Sequence, residues 1–301
     1  MKNIKLSIIF VTYTVLLICA INNSAYCQDQ SDYYFRKASF PPYESEVKFK
    51  RIDYEIPYLT SLSLEAIAES LGITQITPFN NPRYLDNYVD FMAVDGSIGN
   101  TIMEYYIFTS REDAETYALD SVGFSSAWFT HSSDAGFDVE IGDNCWFVGT
   151  AKQWFEGEFP HSQALKFVRN NVYINLYLKN LPHKMGLLTF AKALDDYIIE
   201  NSISDSSLDV KAPEILSHSV LSAEIDNGRY RYQLAVNAID TTDQDSTPLY
   251  YRAINSNNSF DREGHVRCVA LTDKAEVKVW VINKDHIVAS KDIFDVHRGL
   301  R

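Results

Sequence analysis

A-L-K-F-V-R-N-N-V-Y-I-N-L-Y-L-K, residues Ala164–Lys179, holds two runs of alternating apolar and polar character separated by Asn170-Asn171. Asparagine tolerates positive φ, which a two-residue type I′ turn demands at both central positions. A turn there sets the register: Arg169 faces Val172, Phe167 faces Ile174 and Leu165 faces Leu176. Phe167, Ile174, Leu165, Leu176 and Leu178 then line one face, with Lys166, Asn175, Tyr173 and Tyr177 on the other. A slip of one residue would mix the two sets, so pattern and turn select the same hairpin. The apolar face needs a covering layer, and the neighbouring helical segments are expected to supply it.

Upstream of the hairpin, Ser63–Leu71 carries Leu64, Ile67, Ala68 and Leu71 at helical spacing. Ser61 or Ser63 suits its N-cap and Gly72 its C′ position. Strands are expected at Tyr88–Val94 and Thr101–Phe108, followed by T-S-R-E-D-A-E-T-Y-A-L-D-S-V-G, where Ser110 and Asp113 approximate a capping box. The segment Phe124–Phe137 reads as a loop, and strand character resumes at Asp138–Ile141 and Cys145–Thr150. After the hairpin, Met185–Glu200 is helical, with Leu187, Leu188, Ala191, Leu194 and Ile198 inward and Lys192, Asp195 and Asp196 outward. The order strand, strand, strand, helix occurs twice, which suggests a faint duplication. Residues 53–200 are thus expected to form an α+β domain, an antiparallel sheet with helices on one face.

The first 27 residues have the layout of an export signal. Lys2 and Lys5 precede an apolar run, Leu6–Ile21, and small residues Ala25 and Cys27 stand before Gln28. The run is short for a bilayer and lacks a basic flank after it. Lipidation is the weaker alternative, because Ile18 and Tyr26 precede the leader cysteines. The expected location is therefore secreted or periplasmic, with no integral membrane segment in the mature chain. Residues 28–52 read as an extended lead-in, with one strand at Val47–Ile52.

The 301-residue chain is long enough for two cores, and its 46% hydrophobic content is that of a folded protein. Its formal charge is −13, and without Lys2 and Lys5 the mature chain has 25 basic against 40 acidic residues, or −15. No basic stripe breaks that excess, so nucleic acid is an unsuitable partner. Only Cys145 and Cys268 remain after the leader. Both sit in apolar runs, which favours two buried thiols over a disulfide.

Beyond a Ser/Asp-rich linker at 201–212, residues 213–301 show no helical period. Strands are expected near Glu214–Val220, Arg229–Ala238, Pro248–Ile254, Gly264–Leu271, Ala275–Asn283 and Ile287–Val296. Short strands at this spacing indicate a β-sandwich. The run Y-Q-L-A-V-N-A-I-D, then P-L-Y-Y, then E-V-K-V-W-V-I-N-K-D-H-I-V-A-S-K-D-I-F-D-V resembles an Ig-like domain of the PKD or cadherin-like kind. Asn283 stands where an acid is common and the W-x-F-G-D-G turn is missing, so the subfamily stays open. The resemblance implies an extracellular spacer or adhesion module, usually without catalytic activity. The fold class expected for the whole chain is α+β followed by an all-β Ig-like sandwich.

Two aromatic segments are the candidate ligand-binding residues: Trp128, Phe129 and His131 in one, and Trp154, Phe155, Glu156, Phe159 and His161 in the other. Convergence at one sheet edge would give a groove with apolar walls and a few polar groups, suited to a glycan or a peptide. Alternatively, the aromatics simply cover the sheet's open end. No named nucleophile, zinc or phosphate motif occurs, so no catalytic residue is assigned. Asp240, Asp243 and Asp245 are candidate ligands for Ca²⁺, against the alternative of a solvated acidic loop. The first expectation is a non-enzymatic binding or envelope protein, contacting an extracellular or envelope protein or a glycan. A secreted hydrolase with an accessory sandwich, and a structural envelope component, are the alternatives.

Overall fold

The hairpin register is observed residue for residue. In the computed structural model, β6 (Gln163–Arg169) and β7 (Val172–Leu178) pair with Arg169 opposite Val172, Phe167 opposite Ile174 and Leu165 opposite Leu176. Of the two turn residues only Asn170 has positive φ, 53°, so the turn is not type I′. Asn171 instead holds its buried amide against distant backbone: it accepts from Leu59 N at 2.9 Å and donates to Leu59 O at 2.9 Å and Phe108 O at 2.8 Å.

The structure describes residues 58–78, 88–93, 100–123, 129–132, 134, 136–149, 163–178, 184–204, 211–226, 229–241, 249–254, 261, 263–270 and 277–293. The expected leader (1–27) and lead-in (28–52) lie outside them. The described part is rich in strand, with a large mixed sheet, a second small sheet and three helices. No helix among the described residues is long and apolar enough to cross a membrane.

Before the hairpin come α1 (Leu64–Ser70), β1 (Ile73–Pro78), β2 (Tyr88–Ala93), β3 (Asn100–Phe108), α2 (Arg111–Gly123), β4 (Phe129–His131) and β5 (Asn144–Val148). After it come α3 (Lys184–Asn201), β8 (Glu214–Asp226), β9 (Arg229–Ile239), β10 (Tyr250–Ala253), β11 (His265–Ala270), β12 (Val277–Ile282) and β13 (Ile287–Ile293). The caps follow the local chemistry. Ser63 accepts from Ala66 N, Ser110 Oγ accepts from Asp113 N, and Gly72 leaves α1 with φ 67°. Two expectations need correction here. Phe129–His131, read as loop, pairs with β5, whereas Asp138–Ile141, read as strand, joins no ladder.

The large sheet has ten strands in the order β10-β12-β13-β3-β7-β6-β5-β4, with β2 also on β3 and β1 on β2. It therefore takes strands from both sides of the 201–212 segment. The reason lies in β3. Its one edge is filled by β7 from Thr101 to Ile107, and on the other β2 pairs only with residues 100–104. The remaining length is taken by β13 in parallel, Ile287 opposite Ile107 and Val288 opposite Phe108. Beyond this seam, β8, β9 and β11 form the small sheet. Its Tyr232, Leu234, Val236, Val266 and Cys268 pack with Ala253, Val277, Val279 and Val281 of the large sheet, so the C-terminal strands face one another as two layers. Cys145 and Cys268 are free and buried, as the sequence suggests.

Both faces of the N-terminal sheet are covered, which corrects the expectation of helices on one face. Met103, Ile107, Leu165, Phe167, Ile174 and Leu176 share a core with Ile67 of α1 and Leu187, Phe190, Leu194 and Ile198 of α3. The opposite face, with Tyr106, Phe108, Val168 and Tyr173, packs on Ala114, Tyr117 and Ala118 of α2. Tyrosine lets one face be apolar in body and polar at its tips, so its alternation imitates a solvent-facing row. Asp195 of α3 is likewise buried rather than outward, because Arg169 grips it through Nε at 2.6 Å and Nη2 at 2.7 Å.

Candidate functional site: a sheet corner and the polar row beside it

Strand pairing aligns one row of side chains across the face under α2. His131 on β4 is opposite Trp146, which is opposite Lys166, then Asn175, then Glu104 on β3. His131 is half-buried and meets Trp146 edge-on, with centroids 5.8 Å apart. Phe129, on the same face of β4, is buried, and the Lys166 ammonium lies 4.4 Å from its ring centroid.

Lys166 is 3% exposed, and Ser121 of α2 holds it by two bonds, from Nζ to the carbonyl at 2.8 Å and to Oγ at 2.9 Å. Ser121 Oγ also bonds Tyr173 OH at 2.8 Å. Glu104 accepts from Tyr106 OH and from Asn175 Nδ2, each at 2.8 Å. One helical turn along α2, Arg252 of β10 donates to Asp120 at 2.5 Å and to Tyr117 OH at 2.6 Å, with its guanidinium 4.6 Å from the Tyr117 ring centroid. Asp113 completes the file, accepting from Lys278 at 2.7 Å and Ser290 at 2.7 Å. α2 thus touches both halves of the large sheet through one stripe, at positions 113, 117, 120 and 121.

The electrostatics follow from burial. Desolvation pushes the Lys166 amine down to about 7, with Glu104 pulling the other way and Arg252 reinforcing the drop. Burial pushes the phenols of Tyr117 and Tyr173 up. For Arg252 burial disfavours the charge, but the Tyr117 oxygen, Asp120 and Glu104 together outweigh it and its pKa is raised. Glu104 and Asp120 face Lys166 and Arg252 across this row, so each basic side chain has an acidic one in reach. Ser121 Oγ and Lys166 Nζ stand at the separation of a nucleophile and its base. Yet both are buried, and Lys166 spends a second donor on the helix carbonyl. The arrangement fastens a helix to a sheet.

Of the residues singled out in the sequence, the structure brings Phe129 and His131 to this row. Trp128, Trp154, Phe155, Glu156, Phe159 and His161 lie outside the described residues. Their attachment points do not. Segment 124–128 ends on Phe129, and segment 150–162 leaves β5 after Val148, the residue paired with Phe129, and returns at Gln163 on the neighbouring β6. Both aromatic segments are therefore rooted at one corner of the sheet. Asp240 is buried, while Asp243 and Asp245 lie outside the described residues. Among the described residues no group of three or more His, Cys, Asp or Glu could hold a metal ion. Sequence reasoning did not pick out Glu104, Asp120 and Arg252, and it read Asp113 only as part of a capping box. The available signal was the spacing 113, 117, 120 on a helix whose opposite positions are also polar.

No protein-family model matches this chain, and no curated protein matches it. Among solved structures, the crystal structure of Ruminococcus gnavus β-glucuronidase aligns at 11% identity over 42% of this chain and 25% of that chain, with a TM-score of 0.19. The complex of b-glucuronidase from Ruminococcus gnavus with an N1-substituted uronic isofagomine gives the same identity and score, over 42% and 26%. This chain spans about a quarter of that enzyme's length, and the likeness is too slight to bear on fold or function.

Proposed function

We propose that this chain is a secreted or periplasmic, non-enzymatic binding protein of the cell envelope. Its helix-backed α+β half contacts an extracellular or envelope protein, or a glycan, through the aromatic segments at the β4–β5–β6 corner. Its C-terminal Ig-like sandwich, of the PKD or cadherin-like kind, acts as spacer or adhesion module. The observation that supports this reading is the common root of segments 124–128 and 150–162 beside Phe129. Aromatic side chains supply large contact area at small entropic cost, which is why they dominate binding surfaces. Ca²⁺ at Asp240, Asp243 and Asp245 is an accessory expectation; unchanged melting in EDTA would remove it.

The test is tryptophan fluorescence of the mature chain titrated with a panel of envelope polysaccharides and purified envelope proteins. A saturable response that disappears in Trp128→Ala and Trp154→Ala supports the corner as the contact surface. A response identical in those variants moves binding elsewhere. The hydrolase alternative looks to His131, His161 and Glu156, of which the last two lie outside the described residues; the one nucleophile-like contact described is the buried Ser121 Oγ to Lys166 Nζ at 2.9 Å. A fluorophosphonate probe that labels wild type but not Ser121→Ala would favour a hydrolase over binding, and no labelling would dispose of Ser121 as its nucleophile.

A further inference from the structure

Along the sheet itself, the joint between the N-terminal and C-terminal strands is narrow. Two residue pairs link β13 to β3, and among the described residues His286 alone closes the β3 edge between the residues paired with β2 and those paired with β13. Its carbonyl accepts from Ile107 N at 2.9 Å, and its ring Nδ1 donates to Tyr105 O at 3.0 Å. One residue therefore satisfies two successive backbone groups along this stretch of the β3 edge. The ring also stacks on Tyr105, with centroids 4.0 Å apart and planes within 7°.

The turn that presents His286 is built for the purpose. Asn283 Oδ1 accepts from Asp285 N at 3.1 Å and Ile287 N at 3.0 Å, and His286 N donates to Asn283 O at 3.1 Å. His286 itself is held at φ 63°, a conformation a non-glycine residue adopts only when its surroundings hold it there. It is 8% exposed, and burial pushes its imidazole down to about 4, against the opposing pull of the Tyr105 carbonyl. The titratable and charged groups around it are Tyr105 and Tyr106 on β3, Lys284 and Asp285 in its own turn, and Glu65 on α1, whose field reaches Tyr105.

We propose that His286 is an acid-operated latch: a proton on its ring releases β13 from β3 and lets the C-terminal layers part from the N-terminal sheet. The buried site holds only the neutral ring, whereas the opened seam exposes it to water, where it protonates normally. With a pKa near 4 closed and 6.5 open, opening becomes about twentyfold more favourable at pH 5 than at pH 7. The strap through α2 does not share this dependence at Asp113, where burial is overcome by the bonds to Lys278 and Ser290, which hold its carboxyl below the usual range.

The experiment is amide hydrogen exchange on the full mature chain between about pH 7.5 and 4, corrected for intrinsic rates. The expected result is that Ile107 and residues 287–293 lose protection at a higher pH than β5 and β6, and that His286→Asn moves this loss downward by about one pH unit. Asparagine tolerates positive φ and retains a donor for Tyr105 O. Loss of protection at one common pH throughout the chain, or an unchanged profile in the variant, overturns the proposal. Should the variant not fold, imidazole NMR of wild type decides. A His286 transition coincident with seam opening supports the latch, and a ring titrating near 6.5 with the seam still protected overturns it.

Discussion

Arg252 on β10 and Asp120 on α2 meet in a buried ion pair, Nη2 to Oδ2 at 2.5 Å, although 132 positions separate them in the chain. With the bonds of Asp113 to Lys278 and Ser290, the contact ties the C-terminal strands to a helix that also packs on the N-terminal sheet. Together with the β3–β13 seam it makes the two halves one sheet with a shared strap.

Removing one partner leaves the other charge buried and unpaired. Asp120→Ala or Arg252→Met is expected to cost about 3–5 kcal/mol in urea unfolding, with Asp120→Leu/Arg252→Met together costing much less than the sum. A strictly additive double mutant would show that the two side chains are not coupled.

Lys166 sets a pH dependence of stability. Its folded pKa, about 7, lies below the ordinary 10.5, so between those values the unfolded chain binds more protons and stability rises with pH. From pH 7 to 9 the gain is about 2 kcal/mol. Above that, the buried Cys145 and Cys268, pushed up from 9.0, act in the opposite sense. Lys166→Met should flatten the rise. Chemical denaturation at several pH values reads it directly, and an equal slope in the variant would assign the dependence to another group.

The two turn asparagines should respond differently. Asn171→Ala strands Leu59 N, Leu59 O and Phe108 O, and is expected to cost about 2–4 kcal/mol. Asn170→Gly keeps a residue suited to φ 53° and loses only a 3.2 Å bond to Ser202 Oγ, so the change stays within about 1 kcal/mol. Melting curves of the two single variants suffice, and equal losses would mean the turn conformation rather than the Asn171 amide is what matters.

Gly142 sits at φ 68° with its Cα so close to β6 that an added Cβ would lie 2.6 Å from Val168 O. That carbonyl already accepts from Asp143 N, and Asp143 in turn accepts from Arg169 at 3.0 Å. Gly142→Ala is expected to destabilise by about 2 kcal/mol or more, combining backbone strain with a displaced strand. A variant as stable as wild type would imply that the loop before β5 moves freely off β6.

Local order was written plainly in the chain. Alternation through Leu165–Leu176 gave the hairpin register, Ser63 and Ser110 marked helix starts, and the six C-terminal strands fell where turn residues bracket them. Such signals act over a few residues, where propensity and side-chain period decide. Less was legible at the candidate site. Phe129 and His131 lie at one end of the polar row, but the row joins residues up to 135 positions apart through contacts such as Arg252 with Tyr117, and no short window contains it.

What the sequence by itself determined is the helices, the hairpin register and most of the strands, β1 and β4 excepted, because side-chain period and caps are local properties. Which faces are buried, and where one sheet stops, were settled only in three dimensions. Tyr106, Tyr173 and Lys166 look like an outward row until α2 lies across them, and β13 meets β3 where, among the described residues, β2 pairing stops at Tyr88 opposite Glu104. An open edge and an unpaired charge are satisfied by whatever the rest of the chain brings near. Here that is β13 with His286, and α2 with Asp120.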